Sequence, residues 1–296
     1  MEIEVTHMSG AGNLFSIVDN RIHKFNTKKG SQLARWLCEE NEFNAFKTEG
    51  LILINEGDRE HEIIADFFNP DGSHGAMCGN GGRCAVSFAL ERKFFKSRDI
   101  IRFKMAGETY RAQALANSIK VFFPAPFQIN PDLIIRYKGI DFQAAYVNVG
   151  SDHCVIEMKD LDEVQSVFKH TSKIGEFDLA AFAPDIRNHE IFEPRGANIN
   201  IYMVNKAGGL YLRTFERGVE AETGACGTGA ISAAIIAVLR GQVFAPVEVI
   251  PTSQNPLVVD MQFDDDEITG ISLEGAAIVL DTVTVTLPEE LPLVVR

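Results

Sequence analysis

Cys78-Gly79-Asn80-Gly81 and Cys226-Gly227-Thr228-Gly229 decide how this chain is read. Each tetrapeptide closes a glycine-rich loop, and each precedes an apolar run, 83–95 in one case and 230–239 in the other. The two cysteines stand half of the 296-residue chain apart. One such motif is weak. Two, each set before a small-residue helix, predict an internal duplication with a matching site in each copy.

The chemistry of the motif follows from its place. A thiol at a helix N-terminus lies in the positive end of the macrodipole, which lowers its pKa from about 8.5 into the range ~3.5–7.5. The first N–H groups of the helix are unpaired within it and form an anion site, and glycines let a ligand approach the backbone. Each half therefore offers a tuned thiol beside a carboxylate cradle. One thiolate can take a proton from a carbon while a second thiol returns one to the opposite face, which inverts a stereocentre without a cofactor. The helix N-termini then stabilise the charge that develops on the substrate carboxylate.

Around the motifs the chain alternates between short period-two segments and two kinds of helix. Strands are predicted at 3–8, 14–19, 50–55, 62–69, 101–104, 108–114 and 118–123. A helix is predicted at 31–40 with Ser31 as its cap, and another over 83–95. Pro124-Ala125-Pro126, with Pro131 beyond it, reads as a linker. Strands follow at 142–149, 153–158, 197–205, 210–217, 247–260, 268–273 and 277–287, with helices at 161–168 and 230–239.

The other three cysteines read as packing. Cys38 shares a helix with Trp36, and Cys84 lies within the helix after Cys78. Cys154 follows His153 on a strand, where adjacent side chains point to opposite faces, which disfavours a dyad. No C-x-x-C or H-E-x-x-H occurs, so no metal site is expected. Gly10-Ala11-Gly12 lacks the third glycine of a dinucleotide fingerprint, because Phe15 stands there. Five cysteines are too few and too odd for a disulfide framework, and Met1-Glu2-Ile3-Glu4 does not resemble a signal peptide. The run 230–239 is far short of the ~20 residues that span a bilayer. These readings predict a cytoplasmic enzyme with reduced thiols. The net charge of −13 argues against a nucleic-acid or anionic-membrane partner. A small amino-acid substrate is the expected partner, and a homodimer is left open.

Together Gly10-Ala11-Gly12-Asn13, Asn69-Pro70-Asp71-Gly72-Ser73, Cys78-Gly79-Asn80-Gly81-Gly82-Arg83-Cys84, Glu216-Arg217-Gly218 and Ala225-Cys226-Gly227-Thr228-Gly229 resemble the diaminopimelate epimerase family. The resemblance implies a cofactor-independent isomerase of lysine and peptidoglycan precursor synthesis, interconverting LL- and meso-diaminopimelate. It implies an α+β fold of two similar domains, each a β-barrel-like mixed sheet wrapped around a central helix, with the active site in the cleft between them. The domains expected on this basis are 1–126 with a returning strand in 277–296, and 127–276. Carried over by motif, Cys78 and Cys226 are the acid/base thiols. Gly79, Asn80, Gly227 and Thr228 hold the reacting carboxylate. Asn13, Asn69, Ser151, Asn198, Glu216 and Arg217 hold the amino and distal groups.

Several positions depart from the common family pattern. Leu14 replaces an aspartate, Gly50 a glutamine of some members, and Gly150-Ser151-Asp152-His153 the frequent Gly-Asn-Pro-His. The loop from Gly218 to Cys226 is one residue longer and carries Glu220 and Glu222. These departures keep open a racemase or isomerase of another amino acid on the same fold. A binding protein with a degenerate site would not need both cysteines, and a thiol hydrolase would need a histidine beside one of the motifs.

Overall fold

Period-two segments become strands and the two small-residue runs become buried helices in the computed structural model, which describes residues 1–39, 45, 47–75, 77–95, 100–167 and 171–288. The chain divides into two compact units, Met1–Phe122 with Glu274–Arg296, and Phe123–Leu273.

In the first unit, β1 (Glu2–Gly10) and β2 (Asn13–Asp19) form a hairpin. Its turn residues Ala11 and Gly12 both have positive φ, 57° and 96°, as a two-residue turn between right-twisted strands requires. Helix α1 (Thr27–Leu37) follows, then β3 (Gly50–Glu56) parallel to β2, and β4 (Ile63–Phe68) antiparallel to β3. Helix α2 (Gly79–Glu91) leads to β5 (Ile101–Met105), parallel to β4. Strands β6 (Glu108–Ala114) and β7 (Ile119–Phe123) continue antiparallel. The closing strand of the chain, Ala277–Thr286, pairs antiparallel with β1.

The second unit repeats this order. β8 (Gln128–Tyr137) and β9 (Ile140–Asn148) are antiparallel, and so are β9 and β10 (Asp152–Glu157). Helix α3 (Leu179–Arg187) precedes β11 (Asn198–Val204), parallel to β10, and β12 (Leu210–Glu216) is antiparallel to β11. Helix α4 (Gly227–Leu239) leads to β13 (Val247–Ile250), parallel to β12, and β14 (Leu257–Asp264) returns antiparallel. The closing strand therefore does for β1 what β8 does for β9.

Each long helix lies among its strands. Helix α2 packs against β1 to β6 and the closing strand, and α4 against β9 to β14. Helix α4 is apolar on every face and buried from Gly229 to Ala237, as a helix without a solvent side must be. The outer helices are amphipathic. Leu33, Ala34 and Leu37 of α1 pack on Leu51, Leu53 and Phe68. Leu179, Phe182, Ala183 and Ile186 of α3, at i, i+3, i+4 and i+7, belong to one core with Ile199, Ile201 and Phe215.

Several expected boundaries move, each for a local reason. Helix α1 starts four residues before Ser31 because Asn26 caps it, its Oδ1 accepting from Lys29 N; expected residue 40 lies outside the described residues. Helix α2 starts at Gly79 rather than 83, since Cys78 takes the cap position and the glycines enter the first turn. The helix expected at 161–168 is two 3₁₀ turns, Met158–Leu161 and Val164–Val167, and residue 168 is not described. The supposed linker runs straight into β8, whose register slips between Asn130 and Leu133 around Pro131, a bulge that tolerates proline. Pro184 hid α3, which its apolar face and the Asp178 cap hold in place. The strand expected at 247–260 breaks between Ile250 and Leu257, where Pro251 and Pro256 lie.

The two helix starts differ in one testable respect. A Cβ on Gly229 would lie 2.4 Å from Asn200 Oδ1 and 3.1 Å from Thr214 Oγ1, whereas one on Gly81 meets nothing nearer than 3.3 Å. Gly229→Ala should lower stability by about 1–3 kcal/mol through overpacking. Gly81→Ala should be close to neutral, because alanine gains about 1 kcal/mol of helix propensity there. Urea midpoints of both variants check the contrast.

Candidate active site

Cys78 and Cys226 occupy the same position in their two units. Each is the N-cap of a 13-residue helix, with φ, ψ of −111°, 111° and −110°, 112° respectively. Extended backbone at an N-cap turns the side chain toward the open first turn. Gly81 N donates to Cys78 Sγ at 3.4 Å. Cys226 Sγ lies 3.5 Å from Thr228 Oγ1.

Under Cys78 the unit is closely built. A Cβ on Gly10 would stand 2.6 Å from Asn80 O and 3.1 Å from Cys84 Sγ, so β1 touches the helix start only because residue 10 is glycine. Arg83 is wholly buried. Its Nη2 donates to Asn80 Oδ1 at 2.7 Å and its Nη1 to Gly79 O at 3.3 Å, while Nε has no partner. Burial lowers its pKa to about 10, against the opposing pull of Cys84 and Cys78. A buried guanidinium one turn below Cys78 adds to the helix terminus in favouring a thiolate there. Arg83 is not among the site residues expected from sequence; an arginine inside a Gly-rich, otherwise apolar helix start was the available signal. Burial pushes the Cys84 thiol up to about 12 and that of Cys154 higher still, as packing cysteines require.

Asn13 and Asn69 also lie in the first unit. Asn13 is buried; its Nδ2 donates to Glu49 and its Oδ1 is without a partner. Asn69 Nδ2 donates to Ser73 Oγ at 2.9 Å and closes its own turn. Gly50 has a steric reason: a Cβ would lie 2.1 Å from the Phe67 ring. Phe67 is wedged between Gly50 and Gly75, in the place of any longer side chain at 50.

In the second unit the expected residues converge on the start of α4. Ser151 Oγ donates to Thr228 Oγ1 at 3.2 Å and lies 2.8 Å from His153 Nε2. Asn200 Nδ2 lies 3.1 Å from His153 Nδ1. A hydrogen-bonded row thus runs from Cys226 through Thr228 and Ser151 to His153. The sequence reading set His153 aside because it opposes Cys154. The same alternation puts it on the face of Ser151, two residues back, and that was the signal.

Glu216 lies half-buried against the second thiol. It accepts hydrogen bonds from Thr223 Oγ1 and from Cys226, and burial, the dominant effect, holds its carboxyl above the usual range. Asn198 is spent on the scaffold: Nδ2 donates to Asp152 O at 2.9 Å and Oδ1 accepts from Arg217 N at 2.9 Å. Arg217 Nη1 donates to Asp152 Oδ2 and to Gly196 O, both at 2.9 Å. The lengthened loop is fixed by two of its acids, Glu220 to Arg187 and Glu222 to Arg213. Among the described residues no group of three or more His, Cys, Asp or Glu side chains could hold a metal ion. Among the described residues no helix is long and apolar enough to cross a membrane.

The chain is similar to known proteins over most of its length. The family model described as "Diaminopimelate epimerase" matches residues 5–120 and 145–279. The chain is similar to the diaminopimelate epimerase of Aquifex aeolicus, 34% identical over 279 residues that cover 90% of this chain and 92% of that one. It is also similar to that of Chlorobaculum tepidum, at 32% over 95% and 100%. Among solved structures it resembles a Bacillus anthracis phenazine biosynthesis protein of the PhzF family, with TM-score 0.74, 13% identity and coverage of 97% and 100%. A hydroxyproline epimerase from Agrobacterium vitis gives TM-score 0.67 at 14% identity, covering 96% and 91%. At such identities the two structures share the fold.

Burial pulls the His153 pKa down to about 3, against the weaker opposing effect of Asn200. Its unfolded value is about 6.5, so protons bind the unfolded chain more tightly. The stability this residue contributes is complete above pH ~6.5 and is lost as the pH falls toward the folded value. The ring signals of His153, assigned by their loss in His153→Asn, should not titrate between about pH 5 and 8. A midpoint inside that window would refute the buried neutral ring.

Proposed function

The chain belongs to the diaminopimelate epimerase family, and from that premise we propose that Cys78 and Cys226 are the acid and base with which it interconverts LL- and meso-diaminopimelate. The observation that carries this reading is the pair of cysteines capping two equal helices with the same backbone angles. Inversion at a carbon by two bases requires one thiol for each face, and each unit supplies one.

One thiolate takes the α-proton and the other thiol delivers its own. The substrate carboxylate gains charge as the α-carbon becomes carbanionic. The N–H groups of Gly79 and Asn80, and of Gly227 and Thr228, stand in the first turns of the two helices and suit that charge. Glu216 is the group to receive the Cys226 proton: it already accepts a hydrogen bond from that thiol, and its carboxyl is held above the usual range by burial, which brings it nearer the pKa of a thiol. For Cys78 the buried Arg83 plays the electrostatic part. Asn13 has an unused buried acceptor that suits an ammonium group, and Arg217 suits the distal carboxylate.

Incubation with LL-diaminopimelate in deuterium oxide tests substrate and chemistry together. Deuterium should enter at the α-carbon as the meso isomer forms, and no exchange would end the proposal. Cys78→Ser and Cys226→Ser should each lower epimerisation by about 10²–10⁴-fold, the range of a general acid or base. A wild-type rate in either variant would refute the two-base assignment. Glu216→Gln should lower kcat by about 100-fold and move the acidic limb of the pH–rate profile. An unmoved limb would remove Glu216 from the proton path.

A further inference from the structure

The family's frequent proline at residue 152 is an aspartate here, and the structure gives that aspartate four donors. Its side chain is almost completely buried. Oδ1 accepts from Tyr146 Oη at 2.7 Å, Asn148 Nδ2 at 3.1 Å and Arg195 Nη2 at 3.2 Å. Oδ2 accepts from Arg217 Nη1 at 2.9 Å. Burial alone would raise its pKa, but the Tyr146 and Arg217 hydrogen bonds and the two arginine charges outweigh it, and the carboxylate is held below its usual range.

Two consequences follow. A carboxylate offers about four lone-pair sites, two on each oxygen; three donors crowd Oδ1 and Arg217 holds Oδ2, so both oxygens of Asp152 are engaged by protein groups. It acts through its neighbours. Second, Arg217 gives Nη1 to Asp152 and Gly196 and donates neither Nε nor Nη2 to any described residue. Its side chain is 27% exposed. The Nε–Nη2 edge is one that can fork onto a single carboxylate with two parallel hydrogen bonds. Asn198 fixes the same pair from the backbone, joining Asp152 O to Arg217 N. The net charge of Arg195, Arg217 and Asp152 is +1, matched to one carboxylate.

We infer that Asp152 is a positioning residue that clamps one amino group of Arg217 and so presents its Nε–Nη2 edge to the distal carboxylate of the substrate. The inference rests on the proposed function, since it needs a substrate with that group. Without the clamp the guanidinium keeps its charge and loses its direction, so binding suffers while the proton-transfer groups around Cys226 stay in place.

Steady-state kinetics on LL-diaminopimelate test this with the wild type, Asp152→Asn, Arg217→Lys and the double variant. Asp152→Asn should raise KM about tenfold, the scale of a lost hydrogen bond to a charged group, with kcat little changed. Arg217→Lys should raise KM in the wild type but add little on top of Asp152→Asn, because an unoriented fork has little left to lose. A KM that Asp152→Asn leaves unchanged or lowers overturns the inference, as do two effects that simply multiply. Should Asp152→Asn not fold, Tyr146→Phe removes one donor from Asp152 and keeps the ring stacked on Phe192. It should raise KM about threefold, less than Asp152→Asn because the Arg217 contact itself remains, and an unchanged KM overturns the inference. A wild-type chain that leaves LL-diaminopimelate untouched overturns the substrate reading and this inference with it. A wild-type chain that epimerises it while the variants keep its KM overturns the inference alone.

Discussion

A helix surrounded by strands can satisfy its interior backbone by its own ladder, but its first turn always has N–H groups to place. Both units of this chain place that turn behind a cysteine. At each thiol the backbone is extended, and the chain enters the helix through glycine. The rest of each unit is fitted to this turn. Gly10 admits the Asn80 carbonyl on one side, and Gly229 admits Asn200 and Thr214 on the other. The polar groups nearest each thiol differ: a buried arginine below Cys78, and a half-buried glutamate with a hydroxyl beside Cys226. One helix start is supported by positive charge and the other by a proton acceptor, although the backbone at the two is alike.

The duplication was legible because it is written locally, as a cysteine, two glycines and a small-residue run. The repeat proved wider than those motifs suggested. Helices α1 and α3 occupy matching places between parallel strand pairs, yet Pro184 disguised the second of them. The side-chain partnerships were not legible. Asp152 meets Arg217 from 65 positions away, and Ser151 meets Thr228 from 77. Neither periodicity nor spacing reports on contacts between strands that become neighbours only through a parallel crossover. His153 is the instructive case: the alternation rule used to separate it from Cys154 was the rule that pairs it with Ser151.

The departures from the family pattern are compensated within the unit that carries them. Gly50 goes with Phe67, whose ring takes the space. The longer loop before Cys226 carries two acids, and each finds an arginine on a neighbouring element. Asp152 finds two. Apart from Leu14, for which the structure offers no such partner, the substitutions come as sets of mutually satisfied groups.

The closing strand has a consequence for the order of assembly. Phe123–Leu273 is one uninterrupted stretch, whereas the other unit joins Met1–Phe122 to a segment that follows Leu273. Strand β1 pairs from Glu2↔Thr286 to Gly10↔Ala277, and His7 reaches Asp281 across that seam. During synthesis β1 therefore has a bare hydrogen-bonding edge until Ala277–Thr286 has been made. An unpaired edge of that length invites pairing with other chains, and contacts so distant in sequence form slowly. The second half can finish first, and the half made earliest is completed last.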